Sequence, residues 1–287
     1  MNYAYMPGCS SHSSSRDYEM SALAVLKALG VQLEEIKDWN CCGSTPVSSV
    51  APVTSMALSA RNLALAEEAG YREVVVTCSS CYSMLKRAET YYRNDPAARE
   101  MMAGALKTMG RQFEGMVTVK HILELMVYHL GPERLAAAVT KPLKDVKIVP
   151  YYGCLLGRPQ KAFDDPETPT SMDEALRITG AEVLRFDRKS KCCGGSVMLT
   201  KQKAVLRLVE EILWEAADRG ADVIAVACPL CQLNLDAYQT RVNAEFGTSY
   251  RIPVLYFTQV LGIAMGLDKK HLALGKTFVP AGRVVNI

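Results

Sequence analysis

Residues 2–9, NYAYMPGC, and residues 148–154, IVPYYGC, each read as a short apolar strand that ends in Gly-Cys. The segments downstream of the two strands match as well. A helical stretch comes next, SALAVLKALG to Gly30 and SMDEALRITG to Gly180, with apolar residues at helical spacing and a glycine suited to a left-handed C-cap. VQLEEI and AEVLRF then read as strands leading to Asn-Cys-Cys-Gly at 40–43 and Lys-Cys-Cys-Gly at 191–194. A long helix ends at Gly70 or Gly220, and a β-branched run, REVVVTC or DVIAVAC, delivers a Cys-x-x-Cys. VTVKHILELM from 117 and IPVLYFTQVL from 252 close each copy as a last strand and helix. An internal repeat of alternating strands and helices predicts an α/β fold of two similar parallel-sheet domains related by duplication.

The apolar pattern breaks in GPERLAAAVTKPLKD at 131–145, so the expected domains are 1–140 and 141–287. Residues 94–116, rich in Met, Ala and charge, lack a counterpart of equal length and read as an extra helix or a linker.

All ten cysteines belong to the repeat. In the first copy they are Cys9, then Cys41 and Cys42 after 31 residues, then Cys78 and Cys81 after 35 more. In the second they are Cys154, then Cys192 and Cys193 after 37 residues, then Cys228 and Cys231 after 34. Ligands of open α/β sheets gather beyond the carboxyl ends of the strands, and every cysteine group here comes after a strand. Each half is therefore expected to collect five thiols at one rim. That is one thiol more than a tetrahedral Zn site or an ordinary cubane cluster takes.

The chain of 287 residues is 49% hydrophobic, enough for two cores of about 140 residues each. Its 33 basic and 30 acidic residues are dispersed, which argues against nucleic acid. The opening MNYAYMPGCSS lacks the features of a secretory leader, and no stretch of 18 apolar residues occurs later, so a soluble cytoplasmic protein without a membrane span is expected. In that compartment cysteines stay reduced, which favours metal ligation over disulfides. Thiolates select iron-sulfur clusters, Zn or Cu(I). The lone Cys, vicinal pair and single Cys-x-x-Cys, from loops more than 30 residues apart, favour iron-sulfur clusters in both halves over Zn in one half, Zn throughout or redox dithiols.

The Gly-Cys, Cys-Cys-Gly and Cys-x-x-Cys series, repeated twice and accompanied by YYGCLLGRP, SKCCGG and CPLCQLNLD, resembles the tandem CCG-domain iron-sulfur proteins. Among them it is most similar to the family of heterodisulfide reductase B subunits. The likeness covers nearly the whole chain; the spacing after the second vicinal pair is one residue short of the family's. It implies a noncubane [4Fe-4S] cluster in each half. Cys9, Cys41, Cys42, Cys78 and Cys81 would hold one, and Cys154, Cys192, Cys193, Cys228 and Cys231 the other. It further implies a catalytic subunit that cleaves or forms a small disulfide lying between the clusters, in methanogens the mixed disulfide of coenzyme M and coenzyme B. Electrons would come from an iron-sulfur partner like the family's C subunit, itself fed by a flavin protein like the A subunit. Relatives that only transfer electrons or anchor a dehydrogenase, and a Zn-stabilised scaffold, are the alternatives. No nicotinamide or nucleotide fingerprint, neither G-x-G-x-x-G nor a P-loop, occurs.

Other residues have lesser claims. Arg158 comes shortly after Cys154 and is a candidate for an anionic contact. Arg185, Arg188, Lys189 and Lys191 precede the second vicinal pair and read first as a solvated loop. His12 could donate a proton to a leaving thiolate, although a polar loop residue is the plainer reading; His121, His129 and His271 show no ligand spacing. Tyr151 and Tyr152 are expected to cover the cysteines or pack the strand, and the serines of SSHSSS at 10–15 to bond sulfur or form a flexible loop.

Overall fold

The computed structural model describes residues 2–159 and 162–285. In the first half the elements are β1 (Asn2–Met6), α1 (Arg16–Ala28), β2 (Gln32–Glu35), α2 (Val47–Val50), α3 (Pro52–Glu68), β3 (Glu73–Val76), α4 (Ser79–Asn94), α5 (Pro96–Thr108), β4 (Thr118–His121) and α6 (Ile122–Glu124). A single π turn over Leu125–Leu130 extends α6, and α7 (Pro132–Ala138) leads across to the second half. The second half comprises β5 (Lys147–Tyr151), α8 (Ser171–Ile178), β6 (Glu182–Val183), α9 (Gln202–Asp218), β7 (Val223–Val226), α10 (Pro229–Ala237), α11 (Gln239–Phe246), β8 (Val254–Tyr256), α12 (Phe257–Ala264), α13 (Lys269–Leu272) and α14 (Gly282–Val285).

Each half holds a four-stranded, all-parallel sheet, ordered β2-β1-β3-β4 and β6-β5-β7-β8. The duplication is thus real in three dimensions. The inner strands β1, β3, β5 and β7 are buried almost throughout, as strands covered by helices on both faces must be. At the β1/β3 and β5/β7 steps the order reverses, and the loops that leave those strand ends diverge to opposite faces. Cys9 and Cys78 lie on those loops in the first half, Cys154 and Cys228 in the second.

The glycines that were expected to end helices do so. Gly30, Gly70, Gly180 and Gly220 all have positive φ. After α1 the Gly30 amide donates to Lys27 O and the Val31 amide to Leu26 O, the paired bonds of a Schellman cap. Boundaries elsewhere differ from the sequence reading. α1 begins five residues earlier, at Arg16, and β6 is only two residues long. α8 is shorter than α1 because residues 155–170 hold three prolines, and the described part of that stretch is irregular chain. Residues 94–116 carry a true helix, α5, capped by Asp95 through the amides of Ala97 and Ala98. The 131–145 stretch also contains a helix, α7.

The halves are joined by an exchange of contacts about an approximate twofold axis. α1 of the first half packs on α12 of the second, and α8 of the second packs on α6 and the π turn of the first. Aromatic rings make the same exchange. Tyr18 from α1 stacks on Tyr256 at the end of β8, with centroids 4.0 Å apart and planes 4° from parallel. Phe163 stacks on His121 at the end of β4, at 6.3 Å and 9°. Ser21 and Thr258 share a buried hydrogen bond of 2.7 Å. One continuous hydrophobic core runs through both sheets.

This packing predicts that Tyr18→Ala destabilises the protein by about 3–5 kcal/mol, the usual cost of deleting a fully buried aromatic side chain. Anaerobic urea unfolding measures it; a loss below about 1 kcal/mol would show that the halves associate without this stack.

Candidate functional site

Three local devices bring each group of five sulfurs to its rim. The first is the glycine before the first cysteine. Gly8 and Gly153 have φ of 79° and 69°, and a Cβ built on them would lie 2.9 Å from Cys81 Sγ and 2.8 Å from Cys231 Sγ. Only glycine lets the chain turn there with a sulfur from another loop against it.

The second device clamps the vicinal pairs. Asn40 Nδ2 donates to Cys41 O at 2.8 Å and Ser59 Oγ to Cys42 O at 2.8 Å, while Asn62 Nδ2 donates to Asn40 O at 2.8 Å. In the second half Asn234 Nδ2 donates to Cys193 O at 2.9 Å, and the Gly194 amide donates to Cys192 Sγ at 3.3 Å. The carbonyls thus face helices α3 and α10, leaving the thiols to face the rim.

The third is a helix start. Cys78 and Cys228 are the N-cap residues of α4 and α10, so the positive end of each helix lies beneath a sulfur. Cys78 is held well below the usual thiol range by hydrogen bonds from the Cys228 and Cys81 thiols and by the amides of Cys81 and Ser80, against the opposing effect of burial.

The contacts among the thiols trace a string. In the first half Cys9 touches Cys41, Cys41 touches Cys42, Cys42 touches Cys81 and Cys81 touches Cys78. In the second Cys154 touches Cys192, Cys193 lies 3.6 Å from Cys231 and Cys231 touches Cys228. Cys78 also touches Cys228, so the two strings meet across the interface. All ten candidate cysteines are therefore brought together, on rims that face one another. Among the described residues no three His, Cys, Asp or Glu converge on a single point as one metal ion requires.

Protonation favours a polynuclear core. Cys41, Cys78, Cys192 and Cys193 are drawn below the usual thiol range by neighbouring thiols, whereas Cys9, Cys42, Cys81, Cys154 and Cys231 are raised, chiefly by those same neighbours, and Cys228 is raised by Cys78 and burial against the opposing contact with Cys231. Five adjacent sulfurs cannot all shed protons unless cationic metal compensates the charge. An elongated, all-sulfur donor set supplied with backbone N–H groups fits iron and sulfide.

A cavity of about 130 Å³ opens at the rim of the second half. All five cysteines of the second half line it, opposite Thr45, Ser79 and Ser80 of the first. The Ser80 hydroxyl is buried without a hydrogen-bond partner. None of these three residues carried a signal in the sequence beyond its neighbouring cysteine.

The remaining candidates sort clearly. Arg158 is exposed, and its charge opposes the rise at Cys154 and adds to the lowering of Cys192. Arg185 pairs with Asp187, Arg188 with Glu211 and Lys189 with Asp173, so these cations brace the loop before Cys192. Tyr152 lines the cavity, with its hydroxyl donating to Asp173 at 2.6 Å; Tyr151 bonds Lys191 O at 2.6 Å. In SSHSSS the Ser11 and Ser13 hydroxyls donate to Pro7 O and Cys9 O, an ordered turn whose bonds go to carbonyls. His12 lies near Glu19, Glu35 and Trp39. His121 has a place that the sequence did not signal. Its Nδ1 accepts from the Leu123 amide, so Nε2 carries the proton and donates to Thr77 O at 2.8 Å, with Ala227 O also in reach. It thereby ties together the residues preceding Cys78 and Cys228.

Known proteins share this arrangement. The cysteine-rich CCG domain model matches residues 3–86 and 148–236, so both halves are covered. The chain belongs to the tandem CCG-domain family of heterodisulfide reductase B subunits. It is 34% identical to the B subunit of the ferredoxin/F420H2-dependent CoB-CoM heterodisulfide reductase of Methanosarcina acetivorans, over 93% of this chain and 90% of that one. It is 31% identical to the 8-methylmenaquinol:fumarate reductase membrane anchor subunit of Wolinella succinogenes, over 98% of each. A crystal structure of a hypothetical protein from Helicobacter pylori superposes with a TM-score of 0.80 at 16% identity, covering 97% of this chain; the chain spans 52% of that structure. That likeness concerns the fold alone. As a CCG protein the chain is an iron-sulfur subunit of an oxidoreductase complex. Among its described residues no helix is long and apolar enough to cross a membrane.

The geometry of the rims can be tested at two positions. Gly153→Ala forces a methyl group toward Cys231 Sγ and is expected to lower iron content selectively by one of the two sulfur groups, read by iron and sulfide analysis; full iron retention would contradict the cradle. Burial pushes His121 down to about 4. The unfolded chain binds its proton near pH 6.5, so stability falls as pH drops from about 6.5 toward 4. His121→Gln should flatten that fall, as measured by urea midpoints at several pH values; an unchanged slope would assign the acid sensitivity elsewhere.

Proposed function

We propose that this chain carries the site at which an oxidoreductase complex reductively cleaves a disulfide, or forms one in reverse, where the cysteine rims of its two halves face each other. The observation that carries this reading is the meeting of two five-thiol strings, through Cys78 and Cys228. Cleavage takes up two electrons and two protons and yields two thiols, R–S–S–R′ + 2e⁻ + 2H⁺ → RSH + R′SH. Two noncubane [4Fe-4S] clusters, one per group of five cysteines, would supply the two one-electron equivalents and iron able to bind sulfur.

The chain's own residues have defined tasks in this scheme. Cys9, Cys41, Cys42, Cys78 and Cys81 hold one cluster, and Cys154, Cys192, Cys193, Cys228 and Cys231 the other. Gly8 and Gly153 give the sulfurs room, and the α4 N-terminus favours the anionic state of Cys78. Tyr152 and the buried rims restrict water, while Thr45, Ser79 and Ser80 form the wall facing the second group. Electrons arrive from an iron-sulfur partner protein and, behind it, a flavin protein, as the resemblance implies.

One comparison favours a second reading. The Wolinella relative is named a membrane anchor subunit of a fumarate reductase, which fits a chain that anchors a complex or passes electrons within it.

Anaerobic purification with iron, sulfide and Zn quantified, followed by turnover with reduced viologen, decides between these readings. About eight irons per chain, disulfide cleavage, and its abolition by Cys192→Ser are expected. Eight irons without cleavage of any disulfide would support the electron-transfer reading; stoichiometric Zn without iron, or full turnover by Cys192→Ser after cluster loss, would overturn the proposal.

A further inference from the structure

The duplication provides an internal control for the interior of the first half. Tyr5 and Pro150 each stand four residues before the first cysteine of a group, Ser11 and Leu156 two residues after it, and Thr77 and Ala227 immediately before a Cys-x-x-Cys. All six are buried. Three hydroxyls of the first half therefore correspond to three side chains of the second that carry none. The difference is confined to polarity, because the strands and loops that hold these positions are paired alike in both sheets.

The three hydroxyls lie together. That of Tyr5 comes close enough to those of Ser11 and Thr77 to ease its ionisation. Ser11 Oγ donates to Pro7 O at 2.8 Å, which leaves its lone pairs facing Tyr5. Thr77 Oγ1 is fully buried and makes no hydrogen bond, a destabilising arrangement, and it adjoins Cys78, where the two thiol strings meet. On its other side the Tyr5 hydroxyl donates to Glu19 Oε1 at 3.4 Å, and that oxygen lies 3.9 Å from His12 Nε2. The His12 side chain is 49% exposed and that of Glu19 15%, so the series runs from solvent to the interior. Gaps of this size are usual before a substrate is bound. Burial, with Glu35 adding to it, raises the Glu19 carboxyl above the usual carboxylate range against the opposing pull of His12, Tyr5 and Arg16.

We infer that His12, Glu19, Tyr5 and Thr77 form a proton relay that serves the first half's side of the reaction and has no equivalent in the second. The relay rests on the disulfide reading above, in which two protons are taken up where Cys78 and Cys228 are only 6% and 4% exposed. In cleavage, the thiolate formed beside Cys78 takes the Thr77 hydroxyl proton. Thr77 recovers a proton from Tyr5, Tyr5 from Glu19, and Glu19 from His12 or water. One S–H bond forms, one proton enters from solvent, and every group of the relay ends as it began. Disulfide formation runs the same steps backward. Thr77 is the residue that meets the thiolate; Tyr5, Glu19 and His12 act through it. Burial holds Tyr5 well above the usual phenol range, so it gives up one proton only as it takes another.

The test uses anaerobic, iron-loaded full-length protein, reduced methyl viologen as donor, and two probes, hydroxyethyl disulfide and the mixed disulfide of coenzyme M and coenzyme B. Three quantities are read: kcat in light and heavy water, the rate at which viologen reduces the protein without disulfide, and the infrared change when disulfide is added to reduced protein carrying isotope-labelled glutamate. Glu19→Gln and Tyr5→Phe should each lower kcat about a hundredfold, the low end of what a positioned proton donor contributes, and enlarge the heavy-water effect. Reduction by viologen alone, which moves only electrons, should keep its wild-type rate. The wild type should show a glutamate carboxyl change in the infrared that Glu19→Gln lacks, and Glu19→Asp should recover part of kcat. Wild-type kcat and heavy-water effect in Glu19→Gln and Tyr5→Phe would overturn the relay while leaving disulfide cleavage standing. So would equal slowing of viologen reduction and turnover, or loss of iron from both variants, since either assigns these residues to the fold. Failure of the iron-loaded wild type to cleave either probe would remove the disulfide reading and the relay together.

Discussion

The stack of Tyr18 on Tyr256 fixes where the two halves meet. Tyr18 stands on α1, just after the loop bearing Cys9, and Tyr256 stands at the end of β8, beside β7, which feeds Cys228. The Tyr18 hydroxyl donates to Ala227 O at 3.3 Å, the carbonyl that Ser79 also reaches from the first half. One interlocked contact therefore positions three cysteine loops drawn from both sheets. Its counterpart, Phe163 against His121, does the same on the other side of the axis. Without these exchanges each sheet would still form, but its rim would have no facing partner.

Charge explains why the rims need such firm support. Sulfurs in contact resist joint ionisation, and the compact core that could neutralise them needs every loop to be placed independently of the metal. Carbonyl clamps from Asn40, Ser59 and Asn234, and the helix starts at Cys78 and Cys228, provide that placement from rigid elements. The reach of His121 to Thr77 and Ala227 joins the last turns before both Cys-x-x-Cys loops by a neutral donor, which adds no charge to a crowded site.

The halves are alike in backbone and unlike in surroundings. Cys9 and Cys41 of the first group are exposed, whereas Cys154 and Cys192 of the second are half-buried with Arg158 nearby. Of the two groups, the second lines the cavity. Duplication thus supplied two equivalent donor sets, and divergence around them made their positions inequivalent. The chain is similar over nearly its whole length both to the anchor-named relative and to a heterodisulfide reductase B subunit.

Much of this was legible in the chain itself, because local physics governs it. Strand periodicity, helix-ending glycines and cysteine spacing act over a few residues, so the order of elements, the parallel sheets and the ten thiols could be read directly. Boundaries were less legible: α1 began five residues before the stretch that read as helix, and α5 occupied a stretch that read equally as linker. The cavity could not be read at all. Ser80, Thr45 and Leu230 are inconspicuous beside their cysteines, and their chemistry emerges only when the two halves oppose each other. His121 likewise resembled a strand residue until folding placed it against Thr77. Sequence alone determined which donor atoms the rims carry, since donor type and spacing are written along the chain. Tertiary structure alone decided what those atoms face, since packing between residues more than a hundred positions apart sets the axis, the cavity and its two unlike walls.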